Sequence, residues 1–190
     1  MTDEPLPVSR APAAPAQMRI RPAGAADIAA IQALYAHHVL TGLASFEEVP
    51  PDTAEMARRH AKVIGHGLPY LVAENESGLL GYAYAAPFRD RPAYRYSLED
   101  SVYVAPDAVG RGIGAALMAE LIARCEALGY RQMIAVIGDS ANAASIGLHR
   151  KMGFVPAGGL AAVGFKFGRW VDSVYMRRPL GPGDAMPPET

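Results

Sequence analysis

"VYVAPDAVGRGIGAALMAELI", residues 102–122, runs from a β-branched stretch through three glycines in five residues into a helix-forming one. Gly110, Gly112 and Gly114 stand at alternate positions just before an amphipathic segment. A single glycine here would read as a tight turn. Three at this spacing let the backbone approach a ligand, while the unpaired N–H groups of the helix start point outward. Such a place suits a phosphate or pyrophosphate. A P-loop needs Lys and then Ser/Thr after its last glycine, and "GAAL" stands there instead, so nucleoside triphosphate hydrolysis is set aside. "GRGIGA" does satisfy the dinucleotide pattern GxGxxG/A, and Asp139 ends the next strand. In that fold, however, the strand runs directly into the first glycine, whereas "APDAV" intervenes here. Too little chain also remains beyond residue 115 for the rest of a doubly wound sheet.

The chain around this loop alternates strand and helix patterns. "MRIRPA" reads as an opening strand, and "AADIAAIQALYAHHVL" puts Ile28, Ile31, Leu34, Tyr35 and Val39 on one helical stripe. Asp52 with Glu55 forms a capping pattern for a second helix, "TAEMARRHAKVI", which Gly65 and Gly67 end. "LPYLVAE" and "GLLGYAYAAPF" read as an antiparallel pair joined by "NESG". In "YRYSLEDSVYV" Leu98, Val102 and Val104 share one face that Asp100 interrupts, so a β-bulge is expected there. The helix from Gly112 to Leu128 carries Ile113, Leu117, Leu121, Ile122, Cys125 and Leu128 at helical spacing, and the strand "RQMIAVIG" after it implies a parallel crossover. A short helix over "NAASIGLHRKM" and a hairpin "VGFKFGRWVDSVYM" close the domain. The expected fold class is α/β: a mixed, mostly antiparallel central sheet flanked by helices, with one parallel βαβ crossover at the glycine loop. One domain is expected over residues 18–178, with flexible tails at 1–17 and 179–190.

Bulk properties narrow the function classes. The 190 residues are 51% hydrophobic, enough for one good core, and 18 Lys+Arg against 19 Asp+Glu leave a net charge of −1. That balance makes no global case for binding nucleic acid or an anionic membrane. The single Cys125 excludes an intramolecular disulfide and a cysteine-rich zinc site, which fits a reducing cytoplasm. The proline-rich first seventeen residues do not read as a secretory signal, and no apolar stretch approaches the ~18 residues needed to span a bilayer. A soluble, cytoplasmic protein is expected. His37 and His38 point in different directions on a helix, and His60 and His66 are isolated, so no metal is expected.

With this context, "VYVAPDAVGRGIGAAL" resembles the acetyl-coenzyme A pyrophosphate loop of the GNAT family of N-acetyltransferases, whose motif is Gln/Arg-x-x-Gly-x-Gly/Ala. Gly112 and Gly114 take the glycine positions, and Val109 replaces the Gln/Arg. The order of elements matches a GNAT-type fold over roughly residues 18–178. Within the family, "YRYSLEDSVYV", "SANAASIGLHRKMGF" and "GFKFGRWVD" are most similar to the phosphinothricin and methionine sulfoximine acetyltransferases. The resemblance implies transfer of an acetyl group from acetyl-CoA to the α-amino group of a small amino acid, and a homodimer.

An amine attacks a thioester only when unprotonated, so a proton acceptor is needed. The resemblance assigns that role to Glu99; read alone, a strand carboxylate is equally a solvated group or an arginine partner. Asp100 would point to the opposite face. The resemblance further implies oxyanion and pantetheine contacts from the backbone of Val102, Tyr103 and Val104. It implies pyrophosphate contacts from Gly110, Arg111, Gly112, Ile113, Gly114 and Ala115, and cofactor contacts from Asn142 and Ser145. His149 stands where many relatives carry a tyrosine proposed to protonate the departing thiolate. Asn142, Ser145 and His149 form a polar helical stripe that, read alone, is simply a wet face. Arg89, Arg91 and Tyr94 match substrate-binding positions, with forked donors suited to carboxylate or phosphinate, and Lys166 is expected to close the pocket. Cys125, on an apolar stripe, is a poor nucleophile, so transfer is expected to be direct. The alternatives are acetylation of another small amine or a protein N-terminus, and a non-catalytic acyl-CoA sensor. A dinucleotide oxidoreductase stands further off.

Overall fold

The computed structural model describes residues 18–188, so the expected N-terminal tail lies outside the described residues. The elements are β1 (Arg19–Pro22), α1 (Ile28–Thr41), α2 (Thr53–Gly65), β2 (Tyr70–Asn75), β3 (Gly78–Pro87), β4 (Ser97–Val104), α3 (Ile113–Ala127), β5 (Gln132–Gly138), α4 (Ala143–Lys151), β6 (Val155–Lys166) and β7 (Arg169–Pro179). The strands form one seven-stranded sheet in the order β1-β2-β3-β4-β5-β7-β6. Neighbours are antiparallel except β4 and β5, whose parallel pairing is the crossover through α3. This is the mixed α/β architecture that the sequence pattern predicts.

The register decides which helix covers which face. Tyr82 sits opposite Tyr103 and Gly81 opposite Val104, so each pair shares a face and successive pairs alternate. The Tyr103 ring meets Tyr35 of α1 edge-on at 5.2 Å, which puts α1 on the Tyr82/Tyr103 face. A Cβ on Gly81 would lie 3.3 Å from Leu117, so α3 packs on the other face. Ile31, Val39, Leu98, Leu117, Leu121 and Met133 are fully buried and form the two layers of core around the sheet. The predicted α1 stripe is buried at every position. Asp52 caps α2, accepting from the Glu55 amide at 2.7 Å. Glu55 itself turns to Arg58 and Arg59 instead of back to the cap.

Three expectations are corrected. The pairing of β4 with β3 runs without a register shift from Val104 to Leu98, so there is no bulge at Asp100. Asp100 stays on the inner face as a buried acid with a partner, described below. Leu128 caps the end of α3 and is 52% exposed, outside the buried stripe. The C-terminal boundary also moves outward: β7 continues to Pro179, and Leu180 is fully buried with its amide on the Arg131 carbonyl at 2.9 Å. Among the described residues no helix is long and apolar enough to cross a membrane.

Candidate active site

β4 and β5 stay paired only as far as Asp100 opposite Ala135. Beyond that point β4 follows β3 until Val104 pairs with Gly81, while β5 follows β7 until Gly138 pairs with Ser173. The sheet therefore splits, and residues 101–104 of β4 present a backbone edge toward β5 that no strand covers. Buried backbone donors and acceptors demand partners, so an open edge inside a protein is a place to bind an extended ligand. A cavity of about 470 Å³ occupies the split, bordered by Glu99, Asp100, Tyr103, Asn142, Ser145 and His149 among others. Because the gap passes between the two strands, the neighbouring acids Glu99 and Asp100, on opposite faces of β4, both border it.

Glu99 shares its face with Ser101 and Tyr103, the side covered by α1. Among the described residues no hydrogen bond or ion pair engages its carboxylate. Burial pushes the Glu99 carboxyl above its ordinary value; the Arg89 charge opposes the rise and the Asp100 charge adds to it. A partly buried, unpaired carboxyl raised in this way is suited to accept a proton from an amine.

Asp100 and His149 form a buried pair on the opposite face, 6% and 3% exposed. The His149 Nε2 lies 2.9 Å from Asp100 Oδ2, and its Nδ1 lies 2.8 Å from the Ser145 carbonyl. Both ring nitrogens face acceptors, so both donate, and the ring is an imidazolium held against a carboxylate. Burial opposes that charge, but the Asp100 hydrogen bond and charge outweigh it and raise the His149 pKa, with the Ser145 carbonyl helping. Neither nitrogen is free in this arrangement to protonate a departing thiolate directly. Asp100 Oδ1, by contrast, is buried without a hydrogen-bond partner among the described residues.

Gly112 is the N-cap of α3 with φ +82°, a left-handed conformation that side chains resist, and among the described residues no side chain caps the helix. The first-turn N–H groups at Ile113, Gly114 and Ala115 are thus left for an anionic ligand. Among the described residues, no atom beyond the chain neighbours lies within 4 Å of where a Cβ on Gly110 or Gly112 would stand. Arg111 is exposed beside them, and Val109, at the Gln/Arg position of the motif, is 63% exposed. An open strand edge at residues 101–104 leading to an uncapped helix start offers backbone groups to an extended ligand and a helix N-terminus to an anion. Among the described residues no cluster of three or more His, Cys, Asp or Glu is arranged to hold a metal. Burial raises the Cys125 thiol to about 12, which leaves it unreactive.

Other predicted residues fall less directly on the cavity. Asn142 is the N-cap of α4, its Oδ1 accepting from the Ser145 amide at 3.1 Å, and both residues border the cavity. Arg89, Arg91 and Tyr94 are exposed on the β3–β4 connection, outside the cavity wall; Arg89 stacks on Phe88 with 4.4 Å between guanidinium and ring centroid. Lys166 is also outside the wall, buried, with its ammonium on the Gly42 and Ser45 carbonyls. Sequence reading missed Phe46, Tyr84, Ser101 and Tyr175, which do border the cavity. Tyr84 had a usable signal, since it alternates with Tyr82 in "GYAYAA" and so shares its face. His38 was read only as a poor metal ligand, yet its Nε2 lies 3.0 Å from the Val104 carbonyl and holds the free end of β4.

The chain matches the acetyltransferase (GNAT) family over residues 31–154 and belongs to it. Among its relatives, phosphinothricin N-acetyltransferase of Alcaligenes faecalis is 63% identical over 163 residues, covering 86% of this chain and 83% of its own. The L-methionine sulfoximine/L-methionine sulfone acetyltransferase of Pseudomonas paraeruginosa is 41% identical, covering 88% of this chain and 98% of its own. A phosphinothricin acetyltransferase from Sinorhizobium meliloti, solved in complex with acetyl-CoA, superposes with a TM-score of 0.87 at 52% identity, covering 90% of this chain and 93% of its own.

Proposed function

We propose that this protein is an N-acetyltransferase that moves the acetyl group of acetyl-CoA to the α-amino group of a small amino acid or analogue of the phosphinothricin or methionine sulfoximine type. The observation that carries the reading is the cavity through the split sheet, which joins an unpaired carboxyl on one face to the open β4 edge. Acetyl-CoA supplies the acetyl group as an activated thioester. Glu99 takes the proton that the attacking ammonium must lose, directly or through water. Backbone N–H groups on the uncovered edge at residues 102–104 stabilise the oxyanion that attack creates. Gly110, Arg111, Gly112, Ile113, Gly114 and Ala115 hold the pyrophosphate, and Asn142 and Ser145 flank the pantetheine arm. His149 works as a pair with Asp100, keeping a positive charge on the thiol side of the split. Arg89, Arg91 and Tyr94 gather the acceptor's acidic groups at the cavity mouth.

A second copy of the chain completes the assembly in this reading. It is supported by the apolar residues Leu160, Val163, Phe165, Phe167 and Trp170 of β6, β7 and the turn between them, each more than half exposed. A cytoplasmic location accords with the reduced thiol and with the supply of acetyl-CoA. The test is thiol release from acetyl-CoA by the purified protein with phosphinothricin, methionine sulfoximine, methionine and a polyamine. Release with either of the first two supports the assignment. Release only with the polyamine, or none with any of the four while acetyl-CoA still binds, refutes it.

A further inference from the structure

We infer that Lys166 is a positioning residue for the acceptor side of the cavity: it draws the loop after α1 onto the ends of β5 and β6, and so shapes the pocket that receives the amino acid. The inference rests on the N-acetyltransferase reading above. Lys166 is 2% exposed, and its Nζ donates to the Gly42 carbonyl at 2.9 Å and the Ser45 carbonyl at 2.8 Å. The face of Phe167 lies 4.9 Å from the same ammonium. A buried ammonium needs its donors satisfied, and two carbonyls three residues apart converge on it. The loop therefore bends around the cation, and each holds the other in place.

The sheet is thinned where this loop lands. A Cβ on Gly138 would collide with the Leu43 carbonyl and stand 3.0 Å from the Phe46 ring. A Cβ on Gly164 would stand 2.5 Å from that ring. The other side of the loop is tied to α1, where the Tyr35 hydroxyl lies 2.9 Å from Ser45 Oγ and donates to Glu47 at 2.9 Å. Between these anchors Ala44, Ser45 and Phe46 border the cavity. The loop springs from α1, on the face of the sheet that carries Glu99, so the wall it builds belongs to the amine and not to the pyrophosphate end at α3. Lys166 thus acts on the acceptor through the loop, without touching it.

Two variants test this. K166M keeps the unbranched stem of the side chain, shorter by the terminal nitrogen, and removes its charge and donors; G164A pushes a Cβ into the Phe46 ring and leaves the lysine intact. Both are expected to raise KM for the acceptor roughly 10- to 100-fold, with kcat and the acetyl-CoA KM within about threefold of wild type, the pattern of lost uniform binding. K166M is also expected to speed amide hydrogen exchange at residues 42–47 and not at residues 113–116. An unmoved acceptor KM in both variants, or an equal loss toward both substrates, overturns the assignment. Absence of transfer by the wild-type protein to every acceptor overturns the underlying functional reading instead, an outcome visible before either variant is made.

Discussion

Replacing Asp100 by Asn tests the buried pair with almost no change of shape. In the wild-type protein the imidazolium donates to Asp100 at 2.9 Å and to the Ser145 carbonyl at 2.8 Å, with both side chains nearly inaccessible. Asparagine removes the charge that keeps His149 protonated, so burial, which disfavours the imidazolium, is opposed only by the Ser145 carbonyl. The ring becomes neutral and keeps its Nδ1 proton on Ser145, while its Nε2 accepts from the new amide. A charge-assisted hydrogen bond, about 1.5–3 kcal/mol, is exchanged for a neutral one of roughly 0.5–1.5 kcal/mol. Breaking the pair outright with Ala would cost about 3–5 kcal/mol. D100N should therefore lose about 1–2 kcal/mol, a fall in Tm of roughly 2–8 °C for a chain of this size. The sign with pH follows from linkage. His149 has a raised folded pKa, so its contribution is fully present below the unfolded value of about 6.5 and is lost as pH rises through the folded pKa. Thermal unfolding of both proteins at pH 6 and pH 9 should show a gap that is widest at pH 6 and narrows at pH 9. Equal melting at pH 6, or a gap that widens with pH, would refute the imidazolium assignment.

Three more outcomes check the site and the assembly. Glu99→Gln should retain acetyl-CoA binding by calorimetry and lose about 10²- to 10⁴-fold in kcat; in the wild type, kcat/KM should rise with pH through an apparent pKa above that of an ordinary glutamate, a limb that E99Q lacks. Unchanged turnover at saturating acceptor would remove Glu99 from the mechanism. Gly112→Ala forces a side chain into φ +82°, at about 1–2 kcal/mol, and should raise the acetyl-CoA KM roughly tenfold while sparing the acceptor KM. The double variant F165S/W170S breaks an exposed ring pair with centroids 5.3 Å apart and should sediment as a monomer beside a dimeric wild type; a monomeric wild type would refute the interface.

Legibility differed by the range of the interaction. The order of elements, the α1 stripe, the Asp52 cap and the glycine loop were readable because each depends on residues a few positions apart: helical periodicity, a capping oxygen, a turn that needs positive φ. The resemblance singles out Glu99, and strand alternation places it on the face opposite Asp100. Asp100 itself was misread. A lone acid on an apolar face has two remedies, a bulge that turns it outward or a buried partner, and the partner lies 49 residues away on α4.

What the sequence by itself determined was the class of fold and the position of the glycine loop, since local patterning controls both. Only the tertiary structure decided that β4 and β5 part after Asp100, because strand separation depends on how far each remains paired to its other neighbour. It also decided that both His149 nitrogens are occupied and that the Lys166 ammonium meets the Gly42 and Ser45 carbonyls. Lys166 and Gly42 are 124 residues apart, and a buried cation's choice of partner is a matter of where the chain folds back, which no spacing within the sequence records.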